Sequence, residues 1–542
     1  MLSRRDFLKA AAVAGSAGYS KTVHSLTSRR QDSSGFFGVH PFIENHPEAV
    51  FIIKTNVDRK DNSEAKYQAG FDLARSVIVP RSEEDGGVPI SNLIPVKPNL
   101  TCRGKWDSKW TEEDTKGVVS DADFVEGIID GMKELGIDGS QFFIREVNCP
   151  EDFEIDGFGD PFNNGEGGVA GRTGAELRDM TDEIGVINEE DVVWSDVPGG
   201  YYFSKIPHLA PVNAPDTWLL NIAKLKAHGM GVTQSVKNLQ GTVVHNYQRF
   251  GSGYRWIDME PEHQNPNGFM DIITSYRKNK EVIPRWDKSG QSFDSGLGME
   301  TWAHMSVDNH SVLKTGLNIV EAIFSRDGNG FVRGPGENGL SQEFLTNFII
   351  LGMNPFYVDN IGHWLAAHEP GNFGLFHIAQ QRGMIDTFNP HEIPVYEWMP
   401  DGTAVQTPLE EFERTPLVTY YLRRNYKGQT EDEYHLCDEP FDYPSISVKD
   451  KITEPKAIVL NQNFPNPFNP FTSIEYAIPG DGNVQLEIYN AAGQVVDVLV
   501  NGYQRSGSHM AVWNTNNYSS GVYFYRLSFG SYSELKKMTL LK

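Results

Sequence analysis

Along residues 49–365, apolar runs of strand length alternate with segments whose apolar residues recur at helical spacing. "AVFIIKTN", "NLIPVKPNL" and "QFFIREVNC" read as strands, while "YQAGFDLARSVI" and "DADFVEGIIDGMKELG" read as helices, the second capped by Asp121 and ended by Gly136. "GLNIVEAIF" and "FLTNFIILGM" continue the alternation, and "YVDNIGHWLAAH" opens another helix. Strands alternating with helices predict βαβ units, so residues 35–440 are expected to form an α/β domain: a largely parallel sheet flanked by helices. The pattern fails from Asn246 to His310, a stretch rich in Trp, Tyr, Pro, Asp and Arg, which predicts an insertion over one face. "FGDPFNNGEGGVAGRTG" is Gly-rich but lacks the strand-to-helix spacing of a phosphate loop, and reads as a surface loop.

Near residue 457 the period changes to two. Ile474, Tyr476 and Ile478 alternate with polar neighbours, as do Val484, Leu486 and Ile488, with glycine turns at Gly493, Gly502, Gly507 and Gly521. This pattern predicts a small immunoglobulin-like β-sandwich over residues 457–542, behind a polar, proline-containing linker at 441–456. On pattern alone such a sandwich also suits an accessory adhesion module.

Charge narrows the partners. The chain of 542 residues has 48 basic against 72 acidic side chains, a net charge of −24, which argues against nucleic acid or an anionic membrane surface. No apolar run reaches the roughly 18 residues of a transmembrane helix. Three cysteines, Cys102, Cys149 and Cys437, are too few and too scattered for a disulfide framework or a four-thiolate cluster. Cys102 and Cys149 end successive strands, which leaves pairing, a shared soft metal or simple burial open.

Against this acidic background, "LLNIAKLKAHGMGVTQSVKNLQG" gathers cations and amides among glycines. Ligands of parallel α/β sheets bind beyond the carboxyl ends of strands. Lys97 and Asn99, Glu146, and Lys226 and His228 all stand at such ends, and Lys237 and Asn238 follow about ten residues on. Ordinary surface lysines are the bland alternative, but apolar strands usually end in turn residues rather than paired cations. The group predicts an electropositive pocket for a carboxylate, phosphate or other oxyanion, with Asp359 on its wall as counterion in the empty site. Lys97, Asn99, Lys237, Asn238 and Glu146 are expected to bind, while His228, Lys226 and Asp359 are expected to act chemically. No metal site is predicted: His208, His228 and His245 lack a diagnostic ligand spacing, and the sequence names no cofactor. Ser-His-Asp hydrolysis is disfavoured, because no Gly-x-Ser-x-Gly elbow occurs.

Three resemblances add to this reading. "MLSRRDFLKAAAVAGSAG", with Arg4 and Arg5, resembles a twin-arginine signal, which implies residues 1–30 as an address read by the twin-arginine translocase on the way to the periplasm. "FPNPFNP", "GVY" and the basic end "KKMTLLK" resemble the type A C-terminal sorting domain of type IX secretion, known from Bacteroidetes-like bacteria. That implies the type IX machinery as partner and secretion or cell-surface attachment as destination. "PVKPNL", "KLKAHGMGVTQSVKNLQG", "LNIVEAIF" with "GPGENG", and "IILGMNPFYVDNIGHWLA" resemble, in order, the domain-of-unknown-function 362 family. Some members of that family carry a fused iron–sulfur module, whose Cys-x2-Cys-x2-Cys run this chain lacks. What carries over is the pocket of Lys97, Asn99, His228, Lys237, Asn238 and Asp359.

Two functions follow. One is an enzyme acting on an anionic small molecule, with His228 moving a proton and the lysines stabilising charge; the iron–sulfur relatives and the export of a folded protein tilt it towards redox or cofactor-linked chemistry. The other is a secreted or surface binding protein that holds an oxyanion without turnover. The enzyme is preferred.

Overall fold

In a computed structural model the chain forms two compact units, residues 1–442 and 443–542. The structure describes residues 35–100, 117–146, 153–179 (except 155 and 164), 192–244, 265, 268–286, 295–330, 333–422, 434–443 and 457–542 (except 464, 465, 469, 505, 506 and 516). Arg4 and Arg5 with the whole signal segment, Cys102, Cys149, His245 and most of the linker lie outside the described residues.

The first unit is built on a ten-stranded mixed sheet. Its strands and main helices, in chain order, are β1 (Val50–Lys54), α1 (Ser63–Val77), β2 (Ile94–Pro98), α2 (Ala122–Lys133), β3 (Phe142–Glu146), β4 (Glu176–Asp179), β5 (Leu219–His228), β6 (Gly231–Thr233), α3 (Ser235–Asn238), α4 (Gly268–Asn279), α5 (Gly296–Val312), β7 (Thr315–Arg326), β8 (Glu343–Gly352), α6 (Pro355–Leu365), α7 (Gly374–Gln381), β9 (Val395–Trp398) and β10 (Ala404–Gln406). The spatial order is β10-β9-β1-β8-β7-β5-β2-β3-β4, with β6 folded back on the end of β5. The run β7-β5-β2-β3-β4 is parallel throughout, while β8 is antiparallel to both its neighbours.

Side-chain alternation divides the two faces of that parallel run. Val96, Ile144, Leu220, Ile222, Leu317 and Ile319 join a core with Leu73 and Val77 of α1 and Phe124, Ile128 and Met132 of α2. The helices approach closely because glycines remove the obstacle: a Cβ on Gly70 would stand 2.0 Å from the Phe124 carbonyl oxygen, and one on Gly127 2.1 Å from that of Tyr67. Asp121 caps α2, its side chain accepting from the backbone N–H groups of Asp123 and Phe124. The opposite face carries Lys97, Asn221 and Asn318 in register on three adjacent strands.

The stretch 246–310, read as an insertion where the strand–helix pattern fails, holds among its described residues α4 and most of the 17-residue α5. Helix α5 is buried almost all round, so it shows no amphipathic stripe, and the periodicity that marks a surface helix is absent.

The second unit is an antiparallel sandwich. One sheet pairs Val459–Leu460, Phe471–Ile478 and Gly507–Asn514; the other orders Val495–Gln504, Gly482–Asn490, Gly521–Phe529 and Tyr532–Leu540. Trp513, Tyr476, Ile488, Tyr525 and Leu527 fill the space between them.

Candidate functional site

The site grows from the edge where β2, β3 and β5 end. Lys97 pairs in register with Asn221, and Asn221 with Asn318, so these three polar side chains stand side by side on adjacent strands. Asn221 donates to the Asn318 side-chain oxygen at 2.9 Å. Asn238, the last residue of α3, closes over them: its Nδ2 donates to the Lys97 carbonyl at 2.9 Å and to Asn221 Oδ1 at 2.8 Å. Its Oδ1 accepts from Lys97 Nζ and Asn99 Nδ2, both at 3.1 Å. Lys97 Nζ also donates to Glu146 Oε2 and to the Pro98 carbonyl, each at 2.7 Å. An ammonium has three donors, and all three of these are engaged. Lys97 and Asn238, expected from sequence to bind a ligand, thus have their hydrogen-bonding atoms occupied by the protein.

Glu146 is the counterion of this group, the part that the sequence reading gave to Asp359. It is buried, accepts from Lys97 and from the Leu100 backbone N–H at 2.6 Å, and its charge opposes the lowering of the Lys237 pKa by burial. Gly241 makes room for it, since a Cβ there would lie 2.7 Å from both Glu146 Oε1 and Lys97 Cε. Asp359, on α6, receives the Val236 backbone N–H at 3.0 Å. Burial pushes its carboxyl well above the ordinary aspartate value, against the backbone hydrogen bonds from Val236 and Ser235, which favours a neutral acid over a counterion.

Three more groups complete the cluster. Lys226 is buried and donates to the Val118 carbonyl; burial first, and then repulsion from Lys237, holds its pKa well below the ordinary lysine value. Lys237, half-buried on α3, is lowered by burial to about 8, with Glu146 opposing and Lys97 reinforcing the shift. His228 ends β5 half-buried, its Nδ1 accepting from the Met230 backbone N–H at 3.2 Å. Burial, then the charges of Lys237 and Lys226, hold it well below the usual imidazole range, so it is neutral near pH 7. The neighbouring loop after β7 fits tightly: Gly330 has φ +59°, and a Cβ there would stand 2.6 Å from His228 Cδ2. Lys224, two residues before Lys226 on the same strand, stands apart from this cluster in a buried ion pair with Glu321 at 2.6 Å.

Sequence reasoning missed Asn221, Trp302, His363 and Glu321. The in-register positions of Asn221 and Glu321 follow from strand pairing, which periodicity does not give. Trp302 sits on α5, inside the stretch read as an insertion. Among the described residues no group of three His, Cys, Asp or Glu side chains stands together to hold a metal. His208 pairs with Asn309 at 3.0 Å, away from His228 in role, and burial lowers it to about 4.

Comparison with known proteins gives two family matches. Residues 94–363 match the domain of unknown function DUF362, and residues 462–540 match the secretion system C-terminal sorting domain. No curated protein matches the chain. Among solved structures, PorZ, an essential bacterial surface component of the type IX secretion system of Porphyromonas gingivalis, matches at 17% identity, over 18% of this chain and 13% of its own, with a TM-score of 0.12. A likeness that slight carries no argument.

Proposed function

From a chain whose residues 94–363 belong to the DUF362 family and whose residues 462–540 form a sorting domain for secretion and surface attachment, we propose an exported enzyme that binds an anionic small molecule and moves a proton on it. The observation that carries this reading is the gathering of Lys97, Lys226 and Lys237 where β2 and β5 end. Lys97, Lys226 and Lys237 lie within electrostatic reach of one buried carboxylate, Glu146, and that carboxylate is already bonded to Lys97. Basic side chains gathered at one strand edge favour an approaching anion.

Within the proposal the residues divide into those that position and those that meet the ligand. Lys97, Asn238, Asn221 and Asn99 are positioning residues, tying β2 and β5 to α3. Lys237 and Lys226 attract the anion. His228, neutral at neutral pH, takes a proton, and the lysines stabilise the negative charge that develops. Export first by the twin-arginine route, then by the type IX machinery, belongs to the same proposal and rests on Arg4 and Arg5 and on the sorting domain.

The test needs no knowledge of the full reaction. Binding of a panel of carboxylates and inorganic phosphate is measured calorimetrically, and proton abstraction is followed as deuterium entering a bound acid from D2O by NMR. Lys237→Met is expected to weaken binding. His228→Ala is expected to abolish exchange while binding persists. Exchange that survives His228→Ala would leave a binding protein for an oxyanion as the better reading.

A further inference from the structure

Away from the charged cluster, a groove lies at the opposite edge of the same sheet. It opens where β7 starts at Thr315 and where the chain leaves β8 for α6, and its volume of about 530 Å³ is that of a small-molecule site. Because β7 starts beside the start of β5 and runs parallel to it, the far end of β5 keeps Lys226 and His228 away from this groove. Leu313, Met353, Met384 and Ile385 give it an apolar lining. Glu48 and Asp386 are exposed at the same groove, and no hydrogen bond or ion pair engages either carboxylate among the described residues. Burial raises the pKa of the Tyr357 hydroxyl above the ordinary tyrosine value, and the charges of Asp386 and Glu48 add to that shift, which brings both carboxylates near one phenol. His310, on the last turn of α5 and 8% exposed, donates from Nε2 to the Val236 carbonyl at 3.1 Å while its ring packs against Phe356. A carbonyl only accepts, so the ring proton is on Nε2 and Nδ1 presents a lone pair. Burial lowers this imidazole to about 4, so it is neutral at pH 7 and Nδ1 is an acceptor to which no group donates among the described residues.

We propose that this groove binds a small organic ammonium ion with an apolar body. Its N–H groups donate to His310 Nδ1 and to the carboxylates of Glu48 and Asp386, while its body rests on the two methionines, Leu313 and Ile385. Charge decides against an anion: two carboxylates line the groove, and no lysine or arginine does among the described residues. The start of α6 supplies no anion site, since Pro355 has no N–H and Asn354 Oδ1 already accepts that of Phe356. A bare metal ion would leave the apolar lining unused, and no group of three His, Cys, Asp or Glu side chains stands together to hold one among the described residues. Met353 and Met384, unbranched and polarizable, suit the flank of an aliphatic or aromatic body. This site shares no residue with the anion site proposed above and does not rest on it.

The experiment titrates the full chain with 2-phenylethylammonium, with methylammonium, which has the charge without the body, and with 3-phenylpropionate, which has the body with the opposite charge. NMR of methyl-labelled methionine locates the binding. 2-Phenylethylammonium is expected to move the Met353 and Met384 methyl signals, assigned through Met353→Leu and Met384→Leu, and to leave those of Met230 and Met299 in place. Methylammonium should bind about tenfold more weakly, since it buries no ring. 3-Phenylpropionate should leave Met353 and Met384 unmoved. Glu48→Gln combined with Asp386→Asn, both at exposed positions, should weaken 2-phenylethylammonium roughly three- to tenfold. His310→Phe, which keeps a ring against Phe356 and removes Nδ1, should weaken it roughly two- to tenfold, and the exposed double variant serves if this one fails to fold. General attraction to an acidic chain would survive the loss of two carboxylates among 72 acidic residues, so unchanged affinity in the double variant overturns the proposal. Absence of binding, shifts confined to other methionines, or 3-phenylpropionate moving the same two methyls as strongly would overturn it as well. None of these outcomes bears on Lys237 or His228, whose tests use anions.

Discussion

Both units bury an apolar core, but the first also buries charged side chains beside it. Between the sheets of the sandwich the core is apolar and aromatic, and the charged pair near it, Glu487 with Arg526 at 2.6 Å, sits on the outer face of the two inner strands with the guanidinium 41% exposed. Beneath α3 in the other unit, Lys97, Lys224 and Lys226 are all but inaccessible, and Glu146 and Glu321 with them. A domain that serves as an address needs only a stable shape, which hydrophobic packing supplies. Burying several charges costs free energy that packing must offset, and such an arrangement is retained where charge has work to do.

The sharpest way to break this contrast is to remove one member of a buried pair. Glu321→Ala leaves the Lys224 ammonium buried and unpaired, so the first unit should lose about 3–5 kcal/mol of unfolding free energy, read by denaturant titration. A loss below about 1 kcal/mol would mean that Lys224 escapes to solvent or stays neutral. In the sandwich the equivalent damage is apolar. Trp513, fully buried against Phe468 and Tyr523, should cost about 3–5 kcal/mol on Trp513→Ala, and that loss should appear only in the transition of the second unit.

pH provides a third test. Lys237 has a folded-state pKa of about 8, below the 10.5 of an ordinary lysine, so between those values the unfolded chain binds more protons than the folded one. Stability contributed by this group therefore rises with pH across that window, while affinity for an anion falls as pH climbs through about 8. Calorimetry with inorganic phosphate from pH 6.5 to about 9 reads the second effect, and Lys237→Met should flatten it. A profile that stays flat in the unaltered chain would remove Lys237 from the site.

Smaller effects sharpen the comparison from the other side. Glu487→Gln in the sandwich should change stability by less than about 1 kcal/mol, because its partner is largely solvated. Deleting residues 457–542 should leave the melting temperature of the first unit within a few degrees, as expected of an independently cored domain. A collapse of that transition would show that the sandwich supports the first unit.

The sequence by itself determined a good deal. Period-two alternation marked the sandwich, and helical spacing with Asp121 as cap marked α1 and α2, because those elements each present one face to a core and the other to water. The cluster of basic and amide residues was visible for the same chemical reason: apolar strands rarely end in paired cations. What the sequence did not determine is which of these groups are spent within the protein. Lys97 reads as a ligand-binding lysine until strand pairing sets it beside Asn221 and brings Glu146, forty-nine residues further on, to 2.7 Å. Asp359 reads as a counterion until burial on α6 favours its neutral form. Helix α5 falls where the alternating pattern fails because it is buried almost all round, and Trp302 is hidden with it. Hydrophobic periodicity records a boundary between core and water. Where that boundary vanishes, and where register between distant strands sets the partners, only the tertiary structure decides.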